Sequence, residues 1–126
     1  LEVKFDKILL DMPCSGLGVL RKKPEKIYEL TSNDIKNLKK LQKRIFESAY
    51  KCLKNGGEIV YSTCTFSKNE NTNNIRYFLK KYEDLEILDL EIPENVEIIK
   101  DELGGAYISY KNKYMDGFYI AKLRKN

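Results

Sequence analysis

Two cysteines sit where a nucleophile would be useful. Cys14 lies in Asp11-Met12-Pro13-Cys14-Ser15-Gly16, and Cys64 lies in Tyr61-Ser62-Thr63-Cys64-Thr65. A thiolate attacks strongly and can leave again, so sulfur suits covalent catalysis, which splits one hard step into easier ones. A lone cysteine is more often a small buried hydrophobe, and Cys52, inside a helical pattern, is read that way. Cys14 in its tight Pro-Cys-Ser-Gly loop and Cys64 between threonines past a strand end are read as functional. Asp11, taken alone, is a loop-capping carboxylate. The chain has no histidine, which removes the common general base and His-dependent triads. Three separated cysteines without a C-x-x-C pair make a poor zinc set, so no metal is expected. Their odd number argues against a disulfide framework and for a reducing, cytoplasmic location.

The elements that must position these residues follow from periodicity. Val3 to Leu10 reads as a buried strand ending at Asp11, and Met12 to Gly18 as a loop. Ser32 to Leu53 is helical, with Ile35, Leu38, Leu41, Ile45, Ala49 and Leu53 on one apolar face. Thr31 or Ser32 can cap its start. Asn55-Gly56-Gly57 stops it, Gly56 suiting a left-handed turn. Glu58 to Ser62 is a second buried strand. Ser67 and Glu70 fit a capping box opening a helix with Ile75, Phe78, Leu79 and Tyr82 on one face. Leu85 to Leu90 alternates as a strand, Tyr107–Tyr110 reads as a short one, and Gly117 to Leu123 as the last. Strands alternating with helices imply an α/β fold with a mainly parallel sheet. Sites in such sheets form beyond the strands' C-terminal ends, where both cysteine loops fall.

The 126 residues suit one domain, and 42% apolar with 33% charged residues is a globular balance. No apolar run approaches the ~18 residues of a membrane span, and Leu1 to Lys7 lacks a secretory pattern; no membrane partner is expected. Net charge is +4, unevenly placed: residues 1–56 carry 13 Lys/Arg against 7 Asp/Glu, and residues 57–126 carry 10 against 12. The basic half includes Arg21-Lys22-Lys23-Pro24. Such a run can contact phosphates; the plainer reading is a basic loop and a solvated helix face. Gly16 and Gly18 form a G-x-G without the rest of a phosphate-binding motif. The nine tyrosines mostly fall at core spacings and are read as packing.

Taken together, the motifs resemble those of the Sun (Fmu) family of RNA cytosine-C5 methyltransferases. Asp11-Met12-Pro13-Cys14-Ser15-Gly16 and Tyr61-Ser62-Thr63-Cys64-Thr65 resemble its two signature motifs. Arg21-Lys22-Lys23-Pro24 resembles its R-[RK]-x-P segment, and Glu70-Asn71 its E-N element. Asp116-Gly117-Phe118-Tyr119-Ile120-Ala121-Lys122-Leu123 is similar to its closing strand. Met12 stands where the family more often has Ala or Val.

The resemblance implies a Rossmann-like class I methyltransferase fold, of which residues 1–126 are the C-terminal half, with the last strand antiparallel. It implies methyl transfer from S-adenosylmethionine to C5 of cytosine in RNA, ribosomal RNA being the expected substrate. Cys64 would be the nucleophile adding to C6, and Cys14 would assist product release. Asp11 would hold the cytosine N3/N4 edge, and Pro13 would pack beside the base. Arg21 and Lys22 would contact the RNA, while Asp11 and Pro13 would border the cofactor. The Gly-rich cofactor loop and its acidic partners do not appear, so the N-terminal cofactor-binding half is expected to lie outside this chain. The segment alone is then expected to bind S-adenosylmethionine weakly and to self-associate through an exposed strand edge.

Three other readings stand beside this one. A noncatalytic RNA-binding or scaffold protein would rely on the basic 21–26 segment and tolerate loss of Cys64. An amino-group methyltransferase would carry an aromatic where Cys14 stands, because an attacking amine needs no enzyme nucleophile. A DNA cytosine enzyme would use the Pro-Cys loop and would not need the Cys64 motif.

Overall fold

The computed structural model describes residues 3–13, 32–65, 67–108 and 118–126. In chain order its elements are β1 (Phe5–Asp11), α1 (Ser32–Lys51), β2 (Leu53–Thr63), α2 (Thr72–Lys81), β3 (Leu85–Leu88), β4 (Ile98–Lys100), β5 (Ala106–Ile108) and β6 (Phe118–Lys125). They form one mixed sheet in the order β1-β2-β6-β5-β4, with β3 also on β6. β1 and β2 are parallel, and β6 runs antiparallel to both β2 and β3. The three strands linked through helices therefore share one direction, and the last strand inserts against it, as expected. One edge of β6 pairs with β2. Its other edge is divided between β5 (Phe118–Ile120) and β3 (Lys122–Lys125).

The core lies between the sheet and the two described helices. Phe46, Leu53, Ile59, Tyr61, Ile75, Phe78, Tyr119 and Leu123 are all buried in it. Phe46 of α1 stacks on Phe78 of α2 with ring centroids 3.8 Å apart, which fixes the helices to one another. In α2, Ile75 and Phe78 are buried and Leu79 and Tyr82 half-buried, the face its sequence predicts. Asp34 in the first turn of α1 and Lys51 in its last match the helix dipole.

Several local expectations are revised. On α1 the buried stripe is Gln42, Phe46 and Ala49, while Leu38, Leu41 and Ile45 are half-buried. The stripe is rotated because Gln42, polar by type, is fully paired inside. Leu53 begins β2 and does not end the helix. Asn55-Gly56-Gly57 forms a bulge within β2: Phe5 faces Leu53, yet Lys7 already faces Glu58. Gly56 does take the left-handed conformation, at φ +82°, and a Cβ on Gly57 would come within 2.6 Å of Leu53 Cδ1. Residues 67–71 form turns, and α2 opens at Thr72 after Asn71, so the Ser67–Glu70 capping box does not start the helix. Thr65 Oγ1 instead accepts from the Ser67 amide at 3.1 Å.

β1 is more exposed than its apolar composition suggests. Val3, Phe5 and Leu9 are 52%, 50% and 71% exposed, while Ile8 and Leu10 pack on the core. Among the described residues β1 pairs with β2 alone, and its outward face is uncovered.

The segment after β3 holds a hairpin that the sequence pattern resolves only at β5. β4 pairs with β5 through a turn built on Asp101. Asp101 Oδ1 accepts from the amides of Leu103, Gly104 and Gly105 at 2.9–3.0 Å. Its Oδ2 accepts from Tyr119 at 2.7 Å and from Thr72 at 2.8 Å. Gly104 has φ +109°, which admits the turn. One carboxylate thus ties hairpin, last strand and the start of α2.

Candidate active site

Strand pairing sets the site's geometry. Asp11 is the last residue of β1 and lies opposite Ser62 of β2. The Met12 amide extends the ladder, donating to the Ser62 carbonyl at 2.9 Å. Ser62 Oγ lies 3.4 Å from both the Leu10 carbonyl and Asp11 Oδ1. β2 ends one residue later, and Cys64 opens the next loop, half-buried. Parallel pairing therefore puts Asp11 and Cys64 on adjacent strand ends at one sheet edge, as the sequence predicts. Asp11 and Pro13 are exposed there, whereas Met12 is 4% exposed and joins the core. Cys14, Arg21 and Lys22, like Thr31 and the Asp116-Gly117 step, lie outside the described residues. Cys52, half-buried at the end of α1, is remote from this edge.

Beneath the edge is a polar network that periodicity could not reveal. Gln42, Glu70, Asn71 and Asn74 are each 0–1% exposed. Gln42 Nε2 donates to the Pro13 carbonyl at 2.9 Å and to Glu70 Oε1 at 3.2 Å. Asn74 Nδ2 donates to Gln42 Oε1 at 2.8 Å, and the Tyr61 hydroxyl donates to the Glu70 carbonyl at 2.6 Å. Asn71 works on the Cys64 side. It accepts from Thr63 Oγ1 at 2.5 Å and donates to the Thr65 carbonyl at 2.8 Å, bracketing the cysteine. Among the described residues every buried side-chain N or O atom has a partner, as a stable buried network requires. The signal in the sequence is the run Glu70-Asn71-Thr72-Asn73-Asn74, too polar for a helix start that faces a core.

The 16S rRNA methyltransferase RsmB/F family matches residues 1–124. The chain belongs to this family. It is 37% identical over 123 residues to ribosomal RNA small subunit methyltransferase F of Shewanella piezotolerans, covering 96% of this chain and 26% of that protein. It is 39% identical over 124 residues to ribosomal RNA small subunit methyltransferase B of Escherichia coli O1:K1, covering 98% of this chain and 27% of that protein. It thus spans about a quarter of these curated relatives. The crystal structure of NSun6 from Pyrococcus horikoshii with SFG superposes with a TM-score of 0.81 at 34% identity, over 99% of this chain and 31% of that one. A methyltransferase homologue from the same organism gives 0.78 at 34% identity, over 98% and 40%. The mixed α/β sheet is accordingly part of a Rossmann-like methyltransferase fold, and the RsmB/F membership agrees with the Sun-family resemblance of the motifs.

Proposed function

We propose that this chain is the cysteine-bearing portion of an enzyme that methylates C5 of cytosine in RNA, with ribosomal RNA as substrate. The observation that carries the reading is the Asp11–Ser62 register, which sets Asp11 and Cys64 on neighbouring strand ends. C5 of cytosine is a poor nucleophile. Addition of the Cys64 thiolate to C6 gives C5 carbanion character. Asp11 holds the N3/N4 edge of the base in its protonated form, stabilising the charge that develops on addition. Its exposed carboxylate has Ser62 Oγ at 3.4 Å among the described residues, and a carboxylate offers several further acceptor sites. When bound, S-adenosylmethionine supplies the methyl group, and Asp11 and Pro13 are the residues of this chain that border it. After C5 is methylated, its proton passes to water, the C5–H electron pair re-forms the C5–C6 double bond, and the C6–S bond breaks to return the thiolate of Cys64; Cys14 assists that release. Pro13 packs beside the base, and Arg21 and Lys22 contact RNA phosphates. The target base must leave its stack to reach the pocket. The three cysteines fit a reducing cytoplasm, and among the described residues no helix is long and apolar enough to cross a membrane.

RNA containing 5-fluorocytosine tests this in a full-length enzyme carrying the chain, with S-adenosylmethionine present. Fluorine at C5 blocks the last elimination, so the attacking cysteine stays bonded to C6. Mass spectrometry should find the adduct on Cys64. An adduct on Cys14 would reverse the two roles, and RNA binding without any adduct would return the scaffold reading.

A further inference from the structure

The charge asymmetry of the sequence acquires a shape in the structure. Lys40, Lys43 and Arg44 of α1 and Lys81 of α2 line one surface groove with Asn37 and Tyr77. Glu47 also lines it, and it is paired with Lys51 at 3.5 Å. Among the described residues none of the four cations forms an ion pair with a carboxylate. Tyr77 gathers two of them: Lys43 Nζ lies 4.1 Å and Lys81 Nζ 5.8 Å from the same ring centroid. The ring is 38% exposed, and two ammonium groups from different helices lie near it. A surface that gathers four cations suits a polyanion, which releases its own counterions on binding.

The groove has a fixed relation to the candidate site. Lys43 is the neighbour of Gln42, whose amide holds the Pro13 carbonyl. At 3.6 residues per turn, Lys40 and Arg44 project from the far side of α1, roughly one helix diameter (~10 Å) from that hydrogen bond. The backbone flanking a target base that enters at the ends of β1 and β2 would have to cross about that distance to reach this surface.

We propose that the α1–α2 groove binds the sugar–phosphate backbone of the RNA substrate outside the target nucleotide, through Lys40, Lys43, Arg44 and Lys81. The proposal rests on the RNA reading above. Its test compares two double charge reversals with the same change in net charge: Lys40→Glu with Arg44→Glu in the groove, and Lys4→Glu with Lys100→Glu outside it. All four side chains are exposed, and circular dichroism should show the fold unchanged in both. Fluorescence anisotropy with a labelled single-stranded RNA should show the groove variant binding about tenfold or more weakly than the control. Its log affinity should fall less steeply with log salt, by about 0.7 for each phosphate that the groove no longer neutralises. Equal weakening of both variants, or no RNA binding by the unaltered chain, overturns the groove. Cysteine trapping separates this from the chemistry: an adduct on Cys64 with a neutral groove variant removes the groove alone, and RNA binding through the groove without an adduct removes the C5 reaction alone.

Discussion

The side-chain amide of Gln42 reaches from the middle of α1 to the carbonyl of Pro13, 29 residues earlier, at 2.9 Å. Through Glu70 and Asn74 the same side chain is connected to Tyr61 and to the start of α2. The two strand-end segments of the candidate site are therefore held from below by one buried network. That network fixes the backbone on which the Pro13 and Cys64 loops stand.

Replacing Gln42 by Leu keeps the volume but leaves the Pro13 carbonyl and the Asn74 amide short of partners. The expected cost is about 1–3 kcal/mol, the penalty for unpaired buried polar groups, read from urea unfolding. Gln42→Glu is expected to cost more at neutral pH, because it sets a second carboxylate against Glu70, and to recover on acidification. Equal stability of Gln42→Leu and the unaltered chain would mean that the amide holds nothing in place.

The acid limit of stability should depend on Asp101. Burial disfavours its carboxylate, but hydrogen bonds from Tyr119, Thr72 and the Leu103 and Gly105 amides outweigh that and hold it below its ordinary value. A carboxylate depressed in the folded state contributes stability above the unfolded pKa and loses it as pH falls through the folded one. The contribution is thus fully present above pH about 4 and disappears below it. Asp101→Asn should lower stability at neutral pH and flatten the acid limb of a stability–pH curve. The burial and Asp101 bond that raise the Tyr119 hydroxyl keep that donor protonated throughout this range.

The sequence made the strand-end logic legible. Apolar runs, a Pro-Cys-Ser-Gly loop and a Thr-flanked cysteine suffice to place Asp11 and Cys64 at one edge, because parallel strands present their C-terminal ends on the same side of the sheet. It could not show the support beneath them. Gln42 and Asn74 look like solvent-facing helix residues by type, and their pairing with each other across 32 residues and with Pro13, Tyr61 and Glu70 makes burial tolerable. The same blindness misplaced the α1 stripe. Asp101 was hidden because its three amide donors follow it within four residues, in a turn whose conformation depends on Gly104 and on Tyr119 arriving from β6.

Gly105 should be irreplaceable while Tyr119 is present. A Cβ on Gly105 would overlap the phenol ring of Tyr119, meeting its hydroxyl oxygen and Cζ, and Tyr119 is fully buried between neighbours. Gly105→Ala should cost about 1–3 kcal/mol, the range for overpacking, as a fall in thermal unfolding midpoint. Tyr119→Leu alone loses the Asp101 bond. Combined with Gly105→Ala, it should cost less than the two single losses added, since the clash is then gone. Additive losses would place the strain of Gly105→Ala elsewhere.

Self-association of this chain is the outcome expected from the outward side of β1. Val3, Phe5 and Leu9 alternate along one side of a strand that pairs with β2 alone among the described residues, and such an edge is a template for another strand. Sedimentation velocity at rising concentration should show the weight-average mass climbing above that of the 14.8 kDa chain. Leu9→Lys puts a charge where exposure is greatest among the large apolar residues, 71%, and should return the chain to a monomer without changing its unfolding free energy by more than a surface substitution does, about 0.5 kcal/mol. A monomer at every concentration would show that twist and the charges of Lys4, Asp6 and Lys7 already protect the edge. Association that survives Leu9→Lys would point to a different surface.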